Sequence, residues 1–517
     1  MTTKPLILAL VPLDERPVNT RYPQMLGEIG GAEILLPPPA VRGLQRVPAD
    51  LDAVASWLQE TRERADAAIV SCEYLGFGNL IASRITKDSA AAVLTRLTLL
   101  ERINPNCPVH AFSLITRVSN ADDAVEEPDY WAEWGTKFYR YARLRHQAEL
   151  GVLEEPDVLA DLERLLPADF KTDWLARRLR NHTVNLGLLD MAARGKITSL
   201  RLTSDDTSLY GLPSRERGWL ASWPALVGPA LSGRMRMHPG ADEVGSAILA
   251  KLLMEHAGRM PRVFVVYSHF GGEHLTAPYE DRPIRETVEG QIDACGGTRA
   301  GSLSDCDLVL GVATPVPGRT AWQPEHRAED RDARLAEYQA FLYILADAQA
   351  GGAPVALADT AYPNGSDPLL MECLFAEEGR LKLGTLVAYG AWNTAGNTLG
   401  VVAAQAFCAG LTGSDARRAA AQNVFLTHRF LEDWGYQAVT RRAAREEAAR
   451  LWGRREPRPE DAAEQAHLCA FIEDRLGEHL RILQRHGVGA GLQIVPGSTR
   501  LPWRRTFEVD FELASPL

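Results

Sequence analysis

Two adjacent carboxylates, Asp205 and Asp206, are the residues of this chain most clearly suited to catalysis. They follow the strand-like run Ile197–Leu202 and precede a glycine, in the segment Thr-Ser-Asp-Asp-Thr-Ser-Leu-Tyr-Gly. Two like charges this close together are costly to desolvate unless one acid holds a proton or both have partners. Sugar-cleaving enzymes and metal sites both use paired acids. The structural alternative is an Asx turn or a helix N-cap at the end of the strand.

A second polar segment, Pro12–Asn19, follows the first apolar run of the chain. Its prolines fix the backbone dihedral φ and stiffen the loop, which helps to hold side chains in place. Asp14, Arg16 and Asn19 are therefore candidates for binding a substrate. Arg16 either neutralises Asp14 or holds a substrate oxygen, and the sequence favours neither role.

A third polar segment, Trp392–Thr398, precedes an apolar helix-like run. Asn393 and Asn397 offer hydrogen-bond donors and acceptors, and Trp392 offers an aromatic face. Sugars require this combination, because amides bind neighbouring hydroxyls and an aromatic ring packs against the C–H face of the sugar. The structural alternative is an asparagine or threonine N-cap with a tryptophan in the core.

Four further residues complete the predicted substrate site. Asp242 either binds a substrate hydroxyl or complements the positive end of the helix that follows it. Tyr74 and Arg117 lie close to the ends of strand-like runs, and Tyr210 lies shortly after the acid pair.

The sequence predicts no resident metal and no cofactor. His269, Glu273 and His274 lie close together, but they do not have the spacing of a tight metal motif. The signatures of a phosphate-binding loop, a nucleophile elbow and a complete dinucleotide-binding loop are all missing. A metal-assisted hydrolase that uses Asp14, the acid pair and His269 is still an alternative.

Short apolar runs alternate with amphipathic stretches, which predicts an α/β fold with a mainly parallel sheet. Polar clusters follow the carboxyl ends of nearly all the predicted strands, and in a (β/α)8 barrel these ends meet on one face. We therefore expect a TIM-like barrel domain over residues 1–412, with a helical insertion at 127–196. Residues 413–517 are expected to form a mainly helical region that ends in short strands. The alternative fold is two doubly wound α/β domains.

The predicted strands are Leu6–Val11, Glu33–Leu36, Ala67–Ser71, Val109–Leu114, Thr198–Leu202, Met235–His238, Val263–Tyr267, Leu308–Val312, Val355–Ala358 and Leu386–Tyr389.

The overall composition narrows the range of partners. A net charge of -11 and a pI of about 5.7 argue against non-specific binding to nucleic acid or anionic membranes. The longest apolar run, Leu399–Leu411, is too short to span a bilayer. Seven scattered cysteines favour a reducing cytoplasm. We expect a cytoplasmic protein with a small-molecule substrate. The C-terminal helices either close the active site or form a homodimer interface.

Four motifs together resemble a bacterial family of proteins of similar length that is classified as a domain of unknown function. The resemblance covers most of the chain and implies no activity. The motifs are Pro-Leu-Asp-Glu-Arg-Pro-Val-Asn at 12–19, Ser-Asp-Asp at 204–206, Gly-Ala-Asp-Glu at 240–243 and Trp-Asn-Thr-Ala-Gly-Asn-Thr at 392–398.

The acid pair is also similar to the tandem aspartates of O-GlcNAcase and hyaluronidase-type β-N-acetylglucosaminidases. That similarity implies that Asp205 orients the substrate's acetamido group, which attacks its own anomeric carbon, while Asp206 protonates the leaving oxygen. Asn393, Asn397 and Trp392 would bind the sugar. The expected activity is therefore that of a retaining β-N-acetylhexosaminidase that uses substrate assistance. The alternatives are the metal-assisted hydrolase and a non-catalytic carbohydrate-binding protein.

Overall fold

The protein is described by a computed structural model over residues 5–205, 207–317, 331–376 and 380–515. Asp206, which is half of the predicted acid pair, lies outside the described residues. The chain forms two compact units. Unit 1 comprises Met1–Glu15, Glu33–Ile248 and Tyr279–Asp281, and unit 2 comprises Arg16–Ala32, Leu249–Pro278 and Arg282–Leu517.

Helices and strands alternate along most of the described chain. The strands are β1 (Leu6–Val11), β2 (Ala32–Leu35), β3 (Ala67–Ser71), β4 (Val109–Ile115), β5 (Ser199–Ser204), β6 (Met235–Pro239), β7 (Arg262–Tyr267), β8 (Thr298–Arg299), β9 (Leu308–Ala313), β10 (Val355–Asp359), β11 (Ala388–Gly390), β12 (Gln493–Ile494) and β13 (Leu513–Ala514). The α-helices are α1 (Arg21–Gly30), α2 (Leu51–Thr61), α3 (Cys72–Phe77), α4 (Leu80–Ile85), α5 (Ala90–Ile103), α6 (Trp131–Glu149), α7 (Pro156–Leu165), α8 (Ala168–Ala193), α9 (Leu212–Val227), α10 (Pro229–Ser232), α11 (Val244–His256), α12 (Ile284–Ala294), α13 (Arg331–Ala350), α14 (Pro368–Leu374), α15 (Ala395–Ala409), α16 (Ala416–Phe430), α17 (Arg441–Trp452) and α18 (Ala462–Arg485), with a π-helix over Leu431–Thr440 between α16 and α17.

Unit 1 is built on a six-stranded sheet with the order β2-β1-β3-β4-β5-β6. The neighbours from β1 through β6 pair in parallel. Every residue of β3 and β4 is buried, as expected for strands that are covered on both faces of a parallel sheet. The strand order reverses at β1, because β2 lies on one side of it and β3 on the other. In open sheets, ligands bind beyond the carboxyl ends of the strands near such a reversal.

Unit 2 contains a five-stranded sheet with the order β11-β10-β9-β7-β8, in which all neighbouring pairs are parallel. The order reverses at β7, which lies between β8 and β9. The core of the unit combines residues of this sheet with α13, α14, the π-helix and α18. The short strands β12 and β13 pair in antiparallel fashion close to the C-terminus.

The predicted α/β class is confirmed, and all ten predicted strands coincide with observed strands to within a few residues. The helical insertion contains α6, α7 and α8, as predicted. The barrel is not confirmed, because the described strands form sheets of six and five rather than one ring of eight. Barrels and open sheets share the same alternation of strands and helices, so the sequence pattern does not reveal where the strand order reverses. Two-residue β8 was not predicted.

Residues 413–517 are mainly helical and belong to unit 2 together with the second sheet. The predicted domain boundary at residue 412 stays a prediction. No helix among the described residues has both the length and the apolar character needed to cross a membrane.

Candidate functional site

Asp205 is the first residue after β5, at the carboxyl edge of the unit 1 sheet. The strand register places Ser204 beside Ile115 of β4 on one side and Pro239 of β6 on the other. The Asp205 backbone N–H donates to the carbonyl oxygen of Ile115 at 3.3 Å. Strand β5 is therefore paired on both sides up to the residue just before Asp205.

The Asp205 carboxylate belongs to a buried ionic group, which we call the Arg84 cluster. Its members are Arg84, Arg117, Glu126, Glu127 and Asp205. Arg84 donates to Asp205 through Nη2 and to Glu126 through Nη1, the latter at 3.0 Å. Arg117 donates to Glu126 at 3.0 Å, and Glu127 Oε1 lies 3.6 Å from Arg84 and 3.5 Å from Arg117. Two positive charges therefore face three carboxylates.

Burial sets the protonation properties of the Arg84 cluster. Arg84, Glu127 and Asp205 are each less than one-tenth exposed. Burial and Arg117 lower the pKa of Arg84, but the three carboxylates outweigh them, so its pKa lies above the ordinary value and the side chain stays charged. Burial raises the pKa of Glu127, although Arg84 and Arg117 oppose that shift. Glu127 therefore holds a proton more readily than an exposed glutamate does.

Local structure explains how Arg84 reaches the end of β5. It lies in the last turn of α4, whose N-cap is Asn79. The Asn79 side chain accepts from the N–H of Ala82 at 2.7 Å, and the N–H of Leu80 donates to the carbonyl of Leu13 at 3.0 Å. Helix α4 is therefore fixed to the segment after β1 at its start and presents the guanidinium at its end.

The predicted site residues do not include Arg84, Glu126 or Glu127. The two glutamates form a second pair of adjacent acids, and that pairing is the signal that could have identified them. No local signal links Arg84 to Asp205, because Arg84 lies 121 residues earlier in the chain.

The ends of β1 and β3 carry another buried group of polar side chains. Asp14 and Tyr74 are both fully buried. Burial raises the pKa of Tyr74, and the charges of Glu15 and Asp14 add to that effect, so these acids lie close to the phenol. Glu73 accepts from Ser113 Oγ at 2.8 Å, and burial raises its pKa as well.

Two other predicted residues of unit 1 lie in different surroundings. Tyr210 packs edge-on against His146 of α6, with ring centroids 6.2 Å apart. Asp242 is buried two residues before the start of α11, a position that fits the helix-terminus alternative. Its neighbour Glu243 lies 3.6 Å from His238 Nδ1. Of the predicted residues that the structure describes, only Arg117 is found with Asp205 in the Arg84 cluster.

The remaining predicted residues belong to unit 2. The Arg16 guanidinium lies 4.5 Å from the centre of the Trp503 ring and 3.9 Å from Glu508. Asn19 is buried, and its N–H donates to the Arg16 carbonyl at 3.0 Å. These contacts place Arg16 against the C-terminal segment of the same unit, with Asn19 in the turn that follows Arg16.

Trp392, Asn393 and Asn397 share the loop and first turn between β11 and α15. Trp392 is only 3% exposed, which fits the alternative of a core tryptophan. Asn393 adopts a left-handed conformation with φ of 63°, and its carbonyl accepts from the Asn364 N–H at 3.0 Å. Thr394 occupies the N-cap position of α15, as the structural alternative predicts, although its side chain makes no capping hydrogen bond.

A metal centre is not evident in the described part of the chain. Over those residues, no group of three or more His, Cys, Asp or Glu side chains is arranged to hold a metal ion. His269, which the metal-assisted alternative uses, lies in unit 2 with its Nδ1 2.9 Å from Thr314 Oγ1.

Comparisons with known proteins give a family but no activity. No curated protein and no solved structure matches this chain. One family model, described as a protein of unknown function (DUF4127), matches residues 8–512. Because this match covers nearly the whole chain, the protein belongs to the DUF4127 family.

Proposed function

We propose that this protein is a cytoplasmic glycoside hydrolase whose catalytic carboxylates lie at the carboxyl edge of the six-stranded sheet. The observation that carries the proposal is the Arg84 cluster, in which Asp205 pairs with a buried guanidinium that also faces Glu127. Glycosidases require one carboxyl that donates a proton and a second that acts as a carboxylate. A pair of acids in contrasting environments is the usual source of that difference.

Asp205 is the proposed carboxylate of the pair. Arg84 places a full positive charge beside it and fixes its orientation through a hydrogen bond. In the finer form of the proposal, the substrate is a β-N-acetylhexosaminide and Asp205 accepts a hydrogen bond from its acetamide N–H. That bond orients the acetamide oxygen for attack on the anomeric carbon, and the reaction retains the anomeric configuration.

Two residues compete for the role of proton donor. Asp206 is the candidate that the tandem-aspartate motif supplies. Glu127 is the candidate that the cluster supplies, because burial raises its pKa. A raised pKa increases the protonated fraction of a carboxyl at a given pH, and a protonated carboxyl can donate its proton to a leaving oxygen. Trp392, Asn393 and Asn397 stay predicted sugar-binding residues.

The proposal is tested by the release of p-nitrophenol from the β-glycosides of N-acetylglucosamine and N-acetylgalactosamine. Asp205→Asn should lower kcat by about 10²–10⁴-fold, the usual contribution of such a carboxyl. Glu163→Gln is the matched control, because Glu163 is exposed on α7 and lies outside the Arg84 cluster. Wild-type protein without turnover, or full activity in both Asp205→Asn and Asp206→Asn, would contradict the proposal. Activity abolished by a chelator would favour the metal-assisted alternative.

Leaving-group dependence identifies the proton donor. A dinitrophenolate leaves without protonation, whereas the less acidic p-nitrophenol needs more help from a general acid. The variant that lacks the donor should therefore retain activity on the dinitrophenyl glycoside and lose it on the p-nitrophenyl one. Comparison of Asp206→Asn with Glu127→Gln assigns the role to whichever variant shows this split. If neither variant does, both candidates are wrong.

A further inference from the structure

Unit 2 contains a cavity of about 400 Å³ that is rich in arginine. The loop after β10, the C-terminal end of the π-helix, the start of α17 and the segment after α17 form its walls. Four guanidinium groups line it, from Arg441, Arg442, Arg445 and Arg455. We call this cavity the arginine pocket, and it is separate from the carboxylates of the proposed glycosidase site.

Arg441 is the most unusual member of the pocket. Its guanidinium donates to Gln437 Oε1 at 3.0 Å and lies 4.8 Å from the centre of the Phe507 ring. Over the described residues, no carboxylate forms an ion pair with it. Burial, and then the charge of Arg445, lower the pKa of Arg441 to about 10. The charge of Glu456 offsets these effects only in part. A partly desolvated cation without an ion-pair partner is unfavourable, and a bound anion would relieve that cost.

The other guanidinium groups differ in how far they are neutralised. Arg445 donates to Glu456 at 2.7 Å, and Arg442 lies 3.7 Å from Glu446. Arg455 is exposed, and the described part of the chain provides it with no ion-pair partner. Two of the four positive charges are therefore left without a carboxylate.

The backbone around the pocket has a specialised geometry. Arg441 directly follows the π-helix, a wide form of helix that is rare and often marks functional sites. The opposite wall contains Asn364 and Gly365, which both have positive φ, of 59° and 129°. A Cβ on Gly365 would lie 3.0 Å from Gln437 Cβ, so only glycine allows this loop to pack so closely against the π-helix.

We infer that the arginine pocket binds a small molecule through an oxyanion group, either a phosphate or a carboxylate. Guanidinium groups match both anions through paired N–H donors. A cavity of about 400 Å³ is the size of a small-molecule site. A nucleic-acid backbone is disfavoured, because the chain carries a net charge of -11.

Calorimetric titration of the full-length protein with inorganic phosphate and, separately, with glucuronate tests the inference. We expect saturable binding of at least one probe, and the stronger of the two identifies the group that the pocket prefers. Arg455→Glu should weaken binding about tenfold or more, as expected when one charged hydrogen-bonding partner is lost. Because Arg455 is exposed, this variant should fold normally.

Arg481→Glu is the matched control, since Arg481 is exposed on α18 and does not line the pocket. It makes the same change in net charge and should leave affinity unchanged. Arg441→Lys keeps the charge but loses the paired donors, so it should weaken binding while its circular dichroism spectrum stays that of the wild type. Absence of binding by both probes, or an equal loss in Arg455→Glu and Arg481→Glu, would overturn the inference.

Discussion

The Arg84 cluster of unit 1 and a second buried ionic group in unit 2 use similar residues in different ways. The second group, which we call the Arg429 cluster, contains Tyr22, Arg429, Glu432 and Asp433. Arg429 donates to Asp433 at 3.1 Å and also to Glu432 and Tyr22. Each cluster therefore places a buried guanidinium against several acids.

The two clusters differ in how their acids are held. In the Arg429 cluster, both acids lie within four residues of the arginine, on the continuous helical segment from α16 into the π-helix. Asp433 also accepts from the N–H of Ala391 at 2.7 Å, and its carbonyl accepts from the N–H of Ser366. In the Arg84 cluster, the acids come from segments that follow strands. A rigid local network is suited to holding loops in place, whereas acids on separate loops can face a substrate.

Removal of Arg429 should have the largest effect on stability. Arg429→Met leaves two buried carboxyl groups without their counter-charge, and the expected loss in the free energy of unfolding is about 3–5 kcal/mol. Denaturant unfolding followed by tryptophan fluorescence measures the loss. The same substitution at exposed Arg417 of α16 is the control and should cost little. A loss below about 1 kcal/mol for Arg429→Met would mean that the acids are neutral and need no partner.

Removal of Arg84 should cost less, roughly 2–3 kcal/mol. Arg117 still faces Glu126 and Glu127 in Arg84→Met, so only Asp205 loses its ion-pair partner. The double variant Arg84→Met/Asp205→Asn should recover part of the loss, because the unpaired carboxylate is removed with it. If Arg84→Met costs as much as Arg429→Met, Arg117 does not compensate and the contrast between the clusters fails.

The two clusters also differ in how far the sequence reveals them. The strands that deliver Asp205 were predictable, because buried parallel strands are continuous apolar runs. The spacing of Arg429, Glu432 and Asp433 is equally visible, but exposed pairs such as Arg442 and Glu446 have the same spacing. Burial depends on how the helices pack, and no local pattern encodes it. The contact of Arg84 with Asp205 depends on strand order, which is also a property of the whole sheet.

Glu432 should make the stability of the Arg429 cluster depend on pH. Burial raises its pKa from the usual 4.5 to about 7, and Asp433 adds to the shift while Arg429 opposes it. The stabilisation that comes from a protonated Glu432 is therefore complete below about pH 4.5 and is lost as the pH rises through about 7.

In Glu432→Gln the side chain is neutral at every pH and keeps an oxygen that can accept from Arg429 and Tyr22. Relative to this variant, the wild type should lose on the order of 2–3 kcal/mol between pH 4.5 and 7. Melting temperatures of both proteins across this range measure the difference. If the curves of melting temperature against pH are parallel for the two proteins, Glu432 is ionised throughout this range. The Arg429 cluster would then be held by ion pairs between charged groups, as the Arg84 cluster is.

Removal of Arg117 should have the smallest effect, about 0.5–1 kcal/mol, because its side chain is 23% exposed and Arg84 stays beside both glutamates. Arg117→Gln should cost more once Arg84 is absent, because both arginines that pair with Glu126 and Glu127 in the Arg84 cluster are then missing. Denaturant unfolding measures the loss in each single variant, Arg84→Met and Arg117→Gln. These two losses should sum to less than the loss in the double variant Arg84→Met/Arg117→Gln. Strict additivity would mean that each arginine serves its own acid. In that case the Arg84 cluster would behave as two energetically independent ion pairs, and Arg84 would not couple Glu127 to Asp205.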